Sequence, residues 1–264
     1  MYTPFIIQAF QFCEKKMIIT KNHVNICVIY FYKTNQPMTL LDNVLFINLE
    51  KRPDRLAHVT GELAKIGVQG ERINAVETRD GAVGCTMSHI KSLELAKQRN
   101  LPHVFICEDD ITFLNPQLLL ENIAKFESSG LDWEVLIIGG NNVPPYVQIS
   151  DFCIRVSNNQ TTTGYIVKQE YYNTLIANFK ESAMRLIREP ANRKQYAIDM
   201  YWKSLQTSGK WYMITPPTVV QYEDYSDIEK RHVDYRGLLL DLDKPWLFQR
   251  PAPMTFSTVG QMHK

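Results

Sequence analysis

The sequence predicts an α/β fold with a mostly parallel central sheet covered by helices. Three observations lead there. Beyond residue 38, short apolar runs of strand length alternate with amphipathic stretches of helical period. The 264 residues, 45% apolar and 22% charged, suffice for one large core. One apolar run ends abruptly on three carboxylates, as a strand tip does when it opens on a crevice.

Taken in order, "NVLFINLE" (43–50) is a buried strand by its apolar run, and residues 52–67 follow as an amphipathic helix with Pro53 in the first turn, where proline is tolerated. "GERINAV" (70–76) is short enough to pair beside the first strand. Residues 86–100 have helical period, "HVFICEDD" (103–110) is the next buried strand, and residues 116–126 form a helix. "WEVLIIGG" (133–140) is a strand ending on paired glycines. The rhythm then breaks: "NNVPPYVQISD" reads as loop, 161–180 as a strand then a helix, and 197–206 as a short aromatic-rich helix. Residues 210–231 hold a strand, a Pro-Pro bend and an acidic loop, and the proline-punctuated stretch beyond Arg236 is expected to wrap the surface. Three regions result: an N-terminal extension (1–38), the α/β domain (39–240) and a C-terminal tail (241–264).

A formal net charge of +1 argues against nucleic acid or an anionic membrane surface as partner. The apolar run "VNICVIYFY" (24–32) is about half the length of a bilayer span, and no cleavable leader pattern opens the sequence. The extension is then an appended arm or the product of an early start codon. Five scattered cysteines without a CxxC pair argue against a disulfide framework or a zinc site and fit a reducing, cytoplasmic setting. Nothing in the pattern sets an oligomeric state.

Glu108, Asp109 and Asp110 end a buried strand, where ligands bind in open parallel sheets. Clustered carboxylates there either hold a divalent cation, Mg²⁺ or Mn²⁺ for oxygen ligands, or form a solvated turn ahead of the next helix.

Three ordered blocks add to this: "VLFINLEKRPDR" (44–55), "GAVGCTMSHIKSLELA" (81–96) and "VFICEDDI" (104–111). Together they resemble the signature blocks of glycosyltransferase family 25, which includes bacterial lipooligosaccharide galactosyltransferases and animal collagen hydroxylysine galactosyltransferases. Related sequences occur in giant viruses, whose setting would be the host cytoplasm. The resemblance runs over residues 42–235 and implies a GT-A-type, Rossmann-like nucleotide-sugar-binding domain, a UDP-hexose donor and Mn²⁺ or Mg²⁺ at the acidic motif.

By that resemblance Glu108 and Asp110 are the metal pair, with Asp109 assigned to the donor. Arg52 and Arg55 are placed on the pyrophosphate, since guanidinium matches phosphate geometry; alternatively they are a solvated first helical turn. Asn48 and Leu49 border the uracil pocket, largely through backbone. His89 shares a helical face with Cys85, Leu93 and Ala96 and is either a hydrogen-bonded core residue or a group that positions the donor loop. Asp199 opens a short helix and is either its cap or the catalytic base. Tyr201 and Trp202 suit either acceptor stacking or the core, and Gly139 and Gly140 allow close backbone approach to a sugar. Within "EDYSDIEKRH" (223–232), Asp227 and His232 are candidates for a further metal or phosphate ligand, His232 for the metal.

The expected reaction moves galactose or glucose from the UDP-sugar to a hydroxyl acceptor (a glycan, a lipopolysaccharide core or hydroxylysine), with inversion. One rival is a non-catalytic relative that binds a sugar or partner. Another is a nucleotidyltransferase, against which "EKRPDR" (50–55) counts, because it lacks a glycine-rich phosphate loop.

Overall fold

The computed structural model describes residues 39–226 and 228–247. The expectations for the N-terminal extension, for Asp227 and for residues beyond 247 lie outside the described residues. Within them the order is β1 (Val44–Asn48), α1 (Pro53–Lys65), β2 (Glu71–Asn74), α2 (Gly81–Gln98), β3 (His103–Glu108), β4 (Ile111–Phe113), α3 (Pro116–Ser128), β5 (Val135–Asn142), β6 (Tyr146–Gln148), β7 (Cys153–Val156) and β8 (Asn159–Lys168). There follow α4 (Tyr172–Arg188), α5 (Arg193–Tyr196), α6 (Ile198–Tyr201), α7 (Lys203–Gln206), β9 (Trp211–Ile214), β10 (Val219–Gln221), β11 (Asp224–Ser226), β12 (Arg231–Val233) and α8 (Arg236–Leu240).

Eight strands form one sheet in the order β2-β1-β3-β8-β5-β9-β7-β6. β7 and β8 run against the other six, so the expected mostly parallel direction holds, although neighbouring pairs are mixed. Strand alternation decides which side chains meet which helices. Val44 and Phe46 pack on one face with Val59 and Leu63 of α1 and Ile123 and Phe126 of α3. Leu45 and Ile47 pack on the other with Ile90 and Leu93 of α2 and Leu175 and Phe179 of α4. With both faces covered, all five residues of β1 are buried, which is why it reads as an unbroken apolar run. This two-sided α/β sheet is the Rossmann-like class of architecture the sequence leads one to expect.

Several elements differ from the sequence reading. α2 begins at Gly81 rather than 86, because the Asp80 carboxylate caps it by accepting from the Ala82 amide at 3.0 Å. Gly81 and Gly84 hide this first turn from a propensity reading. The stretch 141–151, read as loop, contains the end of β5 and all of β6, and β7 follows directly after it; these short runs lack a clear alternation. The aromatic helix over 197–206 is two four-residue helices, α6 and α7. The stretch after Arg236 contributes to the interior, since Leu239 and Lys244 are buried and the Lys244 ammonium donates to the carbonyls of Asn142 and Asp241.

α2 approaches the 76–78 loop closely at Gly84, where an added Cβ would lie 2.5 Å from the Val76 carbonyl oxygen and 3.0 Å from Thr78 Oγ1. Backbone cannot yield as a flexible side chain does. Gly84→Ala is expected to destabilise the protein by about 1–3 kcal/mol. An unchanged urea midpoint would show that the 76–78 loop moves aside at no cost.

Outside the main sheet, β4 and β10 form an antiparallel ribbon with Phe113 opposite Val219 and Ile111 opposite Gln221. The Tyr222 amide donates to the Asp110 carbonyl at 2.6 Å. The ribbon thereby carries the late acidic loop to the tip of β3. β11 and β12 follow as a hairpin. Among the described residues, no helix is long and apolar enough to cross a membrane.

Candidate functional site

A cavity of about 890 Å³ opens beyond the carboxyl ends of β1 and β3. Its lining includes Leu49, Arg52, Arg55, His89, the triplet Glu108 to Asp110, and Asp199. Most of the residues singled out from sequence therefore share one concavity, positioned where the parallel strands end.

The three acids of the triplet have different surroundings. Glu108 Oε1 accepts from the Thr162 hydroxyl at 2.5 Å and lies 3.3 Å from His89 Nε2. Burial works against its ionisation, but His89 and Thr162 outweigh that and hold the carboxyl below its ordinary value. Asp109 accepts from Asn48 Nδ2 at 2.7 Å and from Arg55 Nη1 at 3.1 Å. Burial nevertheless raises its pKa. Among the described residues, the Asp110 side chain meets the edge of Arg55, at 3.5 Å from its Oδ2, and its buried Oδ1 has no hydrogen-bond partner. Burial, then the Glu108 charge, pushes Asp110 well above the usual carboxylate range.

A buried, partnerless carboxylate oxygen beside further acids is what a hard divalent cation satisfies. The residues present fit such an ion, with Glu108 and Asp110 as oxygen donors. His232 is not brought to them. It sits exposed on β12, its ring 5.7 Å from that of Tyr225, and does not line the cavity.

Arg52 and Arg55, at the start of α1, meet in Asp224 of β11. The guanidinium of Arg52 and Nε of Arg55, the latter at 3.2 Å, both donate to Asp224 Oδ2. Burial works against ionisation of Asp224, but a backbone hydrogen bond from Tyr225 and the two guanidiniums bring its pKa down to about 2. Sequence reasoning singled out Asp227 and His232 in this loop and missed Asp224. The local signal, an acid in a polar cluster, was the same for both aspartates. Only the β4–β10 ribbon decides which one reaches the arginines.

The folded pKa of Asp224 lies below its ordinary 3.8. Its contribution is therefore fully present above about pH 4 and lost as pH falls through about 2. Asp224→Asn is expected to cost on the order of 1 kcal/mol near neutral pH. The melting temperatures of variant and parent should converge as pH falls toward 2; an undiminished gap there would show that the arginine contacts do not stabilise the fold through charge.

Asp199 does not cap α6. That helix has Ala197 at its N-cap position, with no side-chain cap. Instead Asp199 Oδ2 accepts from the Thr161 amide at 3.0 Å. Thr161 carries φ = 68°, a costly conformation for a β-branched residue, and it aims this amide at the carboxylate. Burial raises the Asp199 pKa, partly offset by the Thr161 hydrogen bond.

Asn48 is buried behind the cavity and holds Asp109, whereas Leu49 is on its wall. His89 is wholly buried between Glu108 and the Tyr165 hydroxyl, 3.0 Å from its Nδ1. Trp202 is a core residue, fully buried, and its indole donates to the Asn159 carbonyl at 2.9 Å. Tyr201 packs beside Tyr196, and its hydroxyl accepts from Arg185 at 3.1 Å. Gly139 and Gly140 are closely approached by the Val219 and Asn159 side chains, so their smallness serves internal packing.

A sequence model described as glycosyltransferase family 25 (LPS biosynthesis protein) matches residues 79–201. A "Glycosyltransferase 25 family member" of Drosophila pseudoobscura pseudoobscura is 23% identical over 171 residues, covering 52% of this chain and 27% of that protein. The "Probable inactive glycosyltransferase 25 family member 3" of Bos taurus is 27% identical over 134 residues, covering 39% and 22%. The matches thus span about a quarter of the length of these relatives. A solved glycosyltransferase involved in glycosylation of the major capsid of PBCV-1 superposes with TM-score 0.39 at 11% identity, over 65% of this chain and 80% of that one. The family-model match covers the second and third of the three sequence blocks, and over these segments the chain is similar to members of glycosyltransferase family 25.

Proposed function

We propose that the chain is a metal-dependent hexosyltransferase that moves galactose or glucose from a UDP-sugar to a hydroxyl acceptor, with inversion. The observation that carries this reading is the partnerless Asp110 Oδ1 at the strand tip, in a cavity whose wall also holds the buried Asp199. Glu108 and Asp110 would hold Mn²⁺ or Mg²⁺, which supplies Lewis-acid charge to the donor's diphosphate. His232 as a third ligand requires rearrangement of the β11–β12 hairpin, so the assignment rests on the two acids. Arg52 and Arg55 orient the phosphates by their guanidinium forks. Leu49 borders the base. Asp109, fixed by Asn48 and Arg55, keeps Arg55 in place. The Thr161 amide occupies Asp199 Oδ2 and leaves the other carboxylate oxygen to take the acceptor's proton as the new glycosidic bond forms. Desolvation makes that carboxylate a stronger base than one in water. A glycan, a lipopolysaccharide core or a hydroxylysine side chain each offers the required hydroxyl.

Incubation with individual UDP-hexoses and Mn²⁺, with UDP release and donor mass followed together, tests this reading. Cation-dependent UDP release from one donor supports it. Tight donor binding without release from any donor favours the second reading, a non-catalytic relative. One observation speaks for that alternative: Arg55 already supplies positive charge to Asp109 and Asp110.

A further inference from the structure

We propose that Cys85, His89 and Glu108 form a second cation site, selective for a thiophilic divalent ion of the Zn²⁺ class. Among the described residues, one ligand atom from each lies within 4.8 Å of the other two. The spacing of Cys85 and His89 puts both on one face of α2, and β3 brings Glu108 against that face from another part of the chain. A sulfur, an imidazole nitrogen and one carboxylate oxygen are the donor set of a zinc-type ion, whereas the acids around Asp110 offer oxygen alone. Cys85 and Glu108 both line the cavity, so a fourth position opens toward solvent or ligand.

Supporting contacts are already in place. His89 Nδ1 lies 3.0 Å from the Tyr165 hydroxyl, which fixes the ring, and the Thr162 hydroxyl donates to Glu108 Oε1. In the absence of an ion, Nε2–H donates to Glu108. On binding, the ring proton resides on Nδ1, the Tyr165 oxygen accepts it, and the Nε2 lone pair turns to the ion. The Cys85 S–H bond breaks as the sulfur–metal bond forms, and its proton passes to solvent. The site shares Glu108 with the oxygen-donor site of the proposed transferase but makes no use of Asp110.

Co²⁺ titration of the protein reads this directly, because a thiolate ligand gives a charge-transfer band in the near ultraviolet. One equivalent should produce the band, Cys85→Ser should remove it, and Asp110→Asn should leave it intact. Tyr165→Phe should weaken binding about 10-fold or more through the lost orientation of His89. No band in the parent protein, or a band that survives Cys85→Ser, overturns the proposal. Should the serine variant fail to fold, X-ray absorption of the parent with one equivalent of Zn²⁺ decides, since a first shell without sulfur is equally fatal. Failure of the transferase reading is told apart by UDP release, which this site does not require.

Discussion

Asp110→Asn is expected to abolish cation-dependent UDP release while leaving the fold intact. Asp110 Oδ1 is buried without a partner and its carboxyl is disfavoured as an anion by burial and by Glu108. Such a group destabilises the cation-free protein, so an isosteric neutral amide should raise the melting temperature slightly or leave it unchanged. Function moves the other way. Loss of an ionic ligand removes several kcal/mol of transition-state stabilisation, or about 10³-fold in rate. A residue kept for stability would show the reverse pairing, with lower melting temperature and normal turnover. Near-parental turnover at saturating Mn²⁺ would remove the strand-tip acid from the mechanism.

The second large effect is expected at Asp199. Asp199→Asn should reduce transfer about 10²–10⁴-fold with UDP-sugar affinity unchanged. The amide oxygen of asparagine can still accept from the Thr161 amide, so the local geometry survives. Because Asp199 caps no helix, little stability is at stake. Turnover, donor affinity and melting temperature measured on one preparation separate the possibilities. A stable, active asparagine variant would mean that Asp199 serves only to hold the strained Thr161.

Much of this was legible in the sequence because the informative patterns are local. β1 and β3 announce themselves as continuous apolar runs, and the acid triplet at the end of β3 marks the crevice. α1 shows its proline entry and α3 its apolar stripe. The missing pieces are those defined by partners distant in sequence. β4 and β10, of three residues each, are too short for a periodic signal, yet their pairing brings Asp224 to Arg52 and Arg55. The left-handed conformation of Thr161 has no sequence mark at all, since a β-branched residue is the last one expected there. Cys85 and His89 could be placed on one helical face from spacing, but only the sheet reveals that Glu108 completes their group.

The sheet order also has a consequence in time. β3 and β5 do not pair with each other; β8, made after both, lies between them, and β9, made later still, separates β5 from β7. As the chain leaves the ribosome, its first half carries strands whose hydrogen-bonding edges have no neighbour yet. Such non-local closure is slow, and the open edges are templates for pairing between chains. Nascent chains halted before Ile214 should therefore depend on holdase chaperones, whereas those released beyond it can close the sheet and shield their edges.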